Sequence, residues 1–107
     1  MSTTVIVPMT VLPEAGAFID HVGQRREFEL MIDRARRVVP GLLAIEVALG
    51  EATDEIPPGV IFWTHRDDVG PDHDPTQQNW IEWMAAKFPP EVCQNFVLLP
   101  VYRANGR

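Results

Sequence analysis

The chain is poor in the residues that most often carry covalent chemistry. It has one cysteine, Cys93, which excludes an intrachain disulfide and any cysteine-based metal cluster. No basic residue neighbours Cys93 in sequence, so nothing marks an activated thiolate, and it reads as a buried or inert thiol. The one serine, Ser2, lies at the N-terminus, a poor place for the nucleophile of a serine triad. Lys87 is the sole lysine and sits late in a predicted helix, where a solvated ammonium is a simpler reading than a Schiff base. The seven glycines are scattered, no two being separated by a single residue, so neither G-x-G-x-x-G nor a Walker loop is present. No cofactor is expected from these motifs.

Long apolar runs are missing too. None approaches the roughly 20 residues a spanning helix needs. The first residues, Met-Ser-Thr-Thr-Val, lack the basic region and apolar stretch of a signal peptide. These features predict a cytoplasmic protein without a membrane partner. Positive charge is scarce: 15 acids face 9 Lys and Arg, for a net charge of −6. From residue 41 to 91 the only cations are Arg66 and Lys87. Nucleic-acid binding needs clustered Lys and Arg and is not expected. The basic group Arg34, Arg36 and Arg37 falls near a predicted helix C-terminus, where cations complement the helix dipole.

What is present is ordinary globular material. A hydrophobic content of 46% and a length of 107 residues suit a single α+β domain over 1–107. Residues 4–12 read as a first strand, interrupted by Pro8. Residues 13–23 are ambiguous, because the phase of Phe18 and Val22 disagrees with that of Phe28 and Met31; Gly23 marks a break. From 24 to 39, Phe28, Met31, Ala35 and Val38 keep helical spacing, and Pro40-Gly41 ends the helix. Residues 42–49 alternate as a strand, and 60–66 form a third, rich in β-branched and aromatic residues. The stripe Trp80, Met84 and Phe88 predicts a helix over 75–88, with Asp74 as cap and Pro75 at its first position. Glu91 to Asn95 reads as a turn, and 96–103 is the last strand, with Pro100 suited to an edge.

The order β-α-β-β-α-β predicts a ferredoxin-like fold: a four-stranded antiparallel sheet with two helices on one face. That topology puts the first strand at the centre, which Pro8 opposes. Both faces of such a sheet are apolar, yet helices cover only one. The other needs a cover, and a second copy in a homodimer is the simplest.

Two constellations stand out. Between Thr64 and Pro75 lie His65, Asp67, Asp68, Asp72, His73 and Asp74. His65, Asp67 and His73 have the donor types for zinc or iron, but their spacing matches no ligand signature, and a solvated acidic turn is the simpler reading. The second constellation is Trp63, His65 and Glu46. If all three face away from the helices, they form an aromatic patch with a titratable pair, a candidate ligand pocket. Alternatively Ile61 and Trp63 belong to the core and His65 ends the strand in solvent. His21, beside Asp20, reads as an exposed histidine.

Three functions compete. The first is a small acidic binding domain acting through an apolar sheet face, with itself, a small molecule or a basic protein as partner. The second is a small enzyme of the dimeric α+β barrel type, similar at fold level to cofactor-independent monooxygenases, with a sheet-face pocket. The third is an acidic inhibitor or immunity-like protein.

Overall fold

The computed structural model describes residues 7–54, 58–67 and 75–102. Eight elements follow one another: β1 (Met9–Val11), α1 (Pro13–Val22), α2 (Arg25–Val38), β2 (Leu42–Gly50), β3 (Gly59–Arg66), α3 (Thr76–Lys87), α4 (Pro90–Cys93) and β4 (Phe96–Tyr102).

The first strand is short because Pro8 has no N–H to give a ladder. Its carbonyl still accepts from the Ile45 N–H at 3.0 Å, and three paired residues follow. The part of the expected strand before residue 7 lies outside the described residues. Pro13 then opens α1 at a position where a missing N–H costs nothing. Ala15 and Ile19, four apart, are buried on one face of it. Gly23 ends α1 in the left-handed region at φ 70°, and the N–H groups of Gly23 and Gln24 donate to the carbonyls of Asp20 and Ile19. α2 starts in a new phase, which is why Phe18 and Phe28 do not share a stripe. Gly23→Ala is expected to lower stability by about 1 kcal/mol through left-handed strain alone, because no atom lies within 4 Å of the added Cβ. Gly23→Asn should lose less. Urea midpoints of the two variants check this.

The sheet corrects the ferredoxin-like expectation. Its order is β1-β2-β3-β4, with β1 parallel to β2, β2 antiparallel to β3, and β3 parallel to β4. A helical crossover returns the chain to the end of the sheet it started from, so the next strand runs the same way. Here each returning strand pairs beside the one it left, where the ferredoxin-like order would leave a gap for a later strand. β1 and β4 are therefore the edges, where both Pro8 and Pro100 are tolerated. Among the described residues four helices, where two were expected, line one face.

All four helices contribute to a single core. Ala15, Ile19, Phe28, Met31, Ile32, Ala35, Trp80, Met84 and Val92 meet Ile45, Val47, Val60, Phe62, Phe96 and Leu98. Phe62 stands at the centre, with ring centroids 5.9 Å from Phe28, 6.3 Å from Trp80 and 5.7 Å from Phe96. It thus joins α2, α3 and β4 through one side chain. Both crossovers step the same way across the sheet and pack on the same face, while the strands they join run in opposite directions. The two crossovers therefore have opposite hands, so one departs from the usual right-handed rule.

α3 begins at Thr76, one residue later than the sequence suggests, with Pro75 in the cap position and no side-chain cap bond. Asp74, the expected cap, lies outside the described residues. The three arginines near the end of α2 each have an intramolecular contact. Arg34 stacks 5.3 Å from the Trp83 ring, Arg36 donates to the Val7 carbonyl, and Arg37 pairs with Asp33 at 2.8 Å. Among the described residues no helix is long and apolar enough to cross a membrane.

Candidate functional site: the open face of the sheet

Period-two alternation divides β3 cleanly. Val60, Phe62, Thr64 and Arg66 are buried beneath the helices. Gly59, Ile61, Trp63 and His65 point the other way. In β2 the register shifts between Leu42 and Ala44, so Leu43 is pushed out and is 42% exposed. Beyond that shift Ile45, Val47 and Leu49 face the core, opposite Thr64, Phe62 and Val60. Ala44, Glu46 and Ala48 face outward, opposite His65, Trp63 and Ile61. β4 places Val97, Leu99 and Val101 beside Ile61, Trp63 and His65.

The uncovered face thus has three cross-strand rows. Ala44, His65 and Val101 form the first. Thr10, Glu46, Trp63 and Leu99 form the second, and Ala48, Ile61 and Val97 the third. Trp63 is central. The Glu46 carboxylate lies 3.7 Å from His65 Nε2, diagonally across the two strands. Neither Lys nor Arg occurs in these rows. The three residues of the candidate ligand pocket, Trp63, His65 and Glu46, are together on this face. Phe62, not Trp63, takes the core position on β3.

The candidate metal set is only partly within view. His65 meets Glu46 rather than Asp67. Asp67 is exposed just past β3, and its N–H donates to the Gly41 carbonyl at 2.8 Å, tying the end of β3 to the start of β2. His73, with Asp72 and Asp74, lies outside the described residues. Among the described residues no three His, Cys, Asp or Glu side chains are grouped to hold a metal ion. The expected melting temperature is the same in zinc and in EDTA. A rise of several degrees with zinc in wild type, absent in His65→Ala/His73→Ala, would make this loop a metal site.

One cluster escaped the sequence reading. Arg66 is 2% exposed, and its guanidinium lies 5.2 Å from the Tyr102 ring. With Thr64, Thr76, Gln77 and Tyr102 it lines a cavity of about 40 Å³, room for little more than one water. Thr64 Oγ1 donates to the Leu99 carbonyl at 2.9 Å. The signal was available, because Arg66 shares its parity with Val60, Phe62 and Thr64 and so had to turn inward. Cys93 is also placed: its thiol lies 3.3 Å from the Met84 carbonyl and 3.6 Å from that of Phe88. It joins α4 to the end of α3.

No known family, curated protein or solved structure matches the chain.

Proposed function

We propose that this chain is a binding domain that works as a homodimer, closed through the open face of the sheet. The observation that carries this reading is the composition of that face. Ile61, Trp63, Val97, Leu99 and Val101 form a contiguous apolar surface on two adjacent strands, and no helix among the described residues covers it. Val97 is 39% exposed. Burying such a surface contributes about 25 cal/mol for each Å² removed from water. A second copy supplies a matching apolar face, because a two-fold contact uses the same patch on both subunits.

The Glu46–His65 pair gives the interface a polar element beside Trp63. In a closed dimer it would stand next to the apolar rows and supply a carboxylate and an imidazole to a small polar-headed ligand held there. That is the sense in which a small molecule is a partner. The monooxygenase comparison relied on the ferredoxin-like topology and loses its footing with it. Docking on a basic protein is less well supported, because the open face is apolar and its one carboxylate is engaged by His65. Nucleic acid has no cationic surface there to bind. A cytoplasmic location remains part of this proposal and fits the single free thiol.

The test is the mass in solution. Light scattering at tens of micromolar is expected to give twice the mass of the 12.1 kDa chain. A monomer at that concentration would overturn the reading.

A further inference from the structure

A second surface lies along the free edge of β4, and the two edges of the sheet differ in how they are guarded. β1 offers three paired residues between Pro8 and Pro13. Charged side chains, Arg25, Glu29, Asp33 and Arg36, line the hollow beside it, and Arg36 donates to the Val7 carbonyl. Prolines and charges of this kind keep other strands from adding to an edge. β4 has no charged residue from Phe96 to Tyr102. Its one guard is Pro100.

The register shows which groups the β4 edge presents. The Val60 N–H donates to the Asn95 carbonyl, and Val60 stands opposite Phe96. Backbone groups alternate in direction along a ladder, so Asn95, Val97 and Leu99 bond to β3 while the N–H and C=O of Phe96 and Leu98 point outward. Among the described residues no backbone group meets them. Beside them runs a groove of about 160 Å³. Phe96, Val97 and Leu98 line it in succession, so it lies against the edge of the strand. Gln77, Ile81 and Ala85, four apart on α3, form one ridge of its other wall. None of its lining residues is charged, and Ile81 is 52% exposed. A hollow of about 320 Å³ adjoins the Phe96 end, with Glu51 as the one charged residue on its wall.

We propose that β4 accepts an extended segment of another protein as an added antiparallel strand, with apolar side chains followed by a lysine or arginine. The complementarity is one of charge at two scales. The edge is a row of alternating partial charges that an extended backbone matches, as in recognition by strand addition. In an antiparallel strand the residues opposite Phe96 and Leu98 lie on the helix side, where the uncharged wall of Ile81 and Ala85 takes apolar side chains. The C-terminal end of the segment then reaches the Phe96 end of the groove, where Glu51 complements a cation. A second copy of β4 fits less well, because Pro100 enters twice. With the two-fold axis at Leu98, each Pro100 faces a Phe96 carbonyl to which it cannot donate; with the axis at Val97, the ladder ends at Phe96 and Leu98. This inference does not rest on the open sheet face, and it stands or falls separately from self-association through that face.

The probe is the peptide acetyl-Val-Thr-Val-Thr-Val-Lys-amide, whose valines stand opposite Pro100, Leu98 and Phe96 in antiparallel pairing. It is titrated into ¹⁵N-labelled protein. The expected result is a saturable shift of the Phe96 and Leu98 amide resonances, with slowed exchange of both. N-methylation of the last two valines removes N–H groups that face β4 and should abolish binding. N-methylation of the two threonines alters only the outer edge of the peptide and should leave binding saturable. Ile81→Lys sets a charge beside the groove and is expected to weaken binding about tenfold. Glu51→Lys is expected to weaken it about two- to fivefold. Sedimentation of the free protein covers the other occupant: an assembly larger than a dimer, reduced in Ile81→Lys, would assign the edge to a second copy. That result would overturn the proposal. So would no saturable shift at Phe96 and Leu98, equal binding of the two methylated peptides, or unchanged affinity in either variant.

Discussion

Trp63→Lys is expected to convert a dimer into a folded monomer. Trp63 lies inside the middle row on the open face, with Glu46 on one side and Leu99 on the other. A central aromatic of this kind carries much of the energy of an interface, and its loss weakens association by about a hundredfold or more. Lysine adds a charge that would have to be desolvated twice in a symmetric contact. The monomer should tolerate the change, because the new ammonium sits directly opposite the Glu46 carboxylate. Sedimentation velocity over a concentration series separates the two outcomes. Leu30→Lys is the control, since Leu30 is 42% exposed on α2, away from the sheet face. It should leave the dimer unchanged. A Trp63→Lys protein that associates like wild type would remove the open face from the interface.

The largest loss of stability is expected at Phe62. Its side chain is fully buried and touches three other rings, from α2, α3 and β4. Truncation to alanine removes the transfer energy of the ring and leaves a cavity that helices on two sides cannot readily close. The cost is about 3–5 kcal/mol, against a total of about 5–15 kcal/mol for an ordinary domain. Phe62→Leu fills more of the space and should cost less than half as much. Urea titrations followed by circular dichroism give both values. A Phe62→Ala variant within 1 kcal/mol of wild type would show that the centre of this core is not where the packing places it.

Much of this arrangement was legible in local sequence, and the failures have physical causes. The alternation of 42–49 and 60–66 and the stripe Trp80, Met84 and Phe88 each obey a period that a single element imposes on itself. They correspond to β2, β3 and α3. The grouping of Glu46, Trp63 and His65 on one face follows from period two, although choosing which face is buried required knowing that Phe62, not Trp63, meets the helices. Strand order was not legible. It is decided by which edge a returning strand joins, and both orders share one sequence of elements and one alternation. Pro8 was the local clue, because a residue with no N–H belongs at an edge. α1 was obscured because two helices in different phases meet at Gly23. Arg66 was legible only through its parity on β3, while the Tyr102 ring and Thr64 around it are set by the folded chain.

The opposite hands of the two crossovers have a consequence for symmetry. On paper the molecule looks like a β-α-β unit followed by a second β-α-β unit, the pattern of a duplicated half. No rotation can superpose a right-handed unit on a left-handed one, so the two units are not rotational copies of each other. Among the described residues no internal two-fold axis relates one β-α-β unit to the other. Whatever symmetry the working particle has must come from a second molecule, and each chain brings one Glu46–His65 pair and one Trp63 to it.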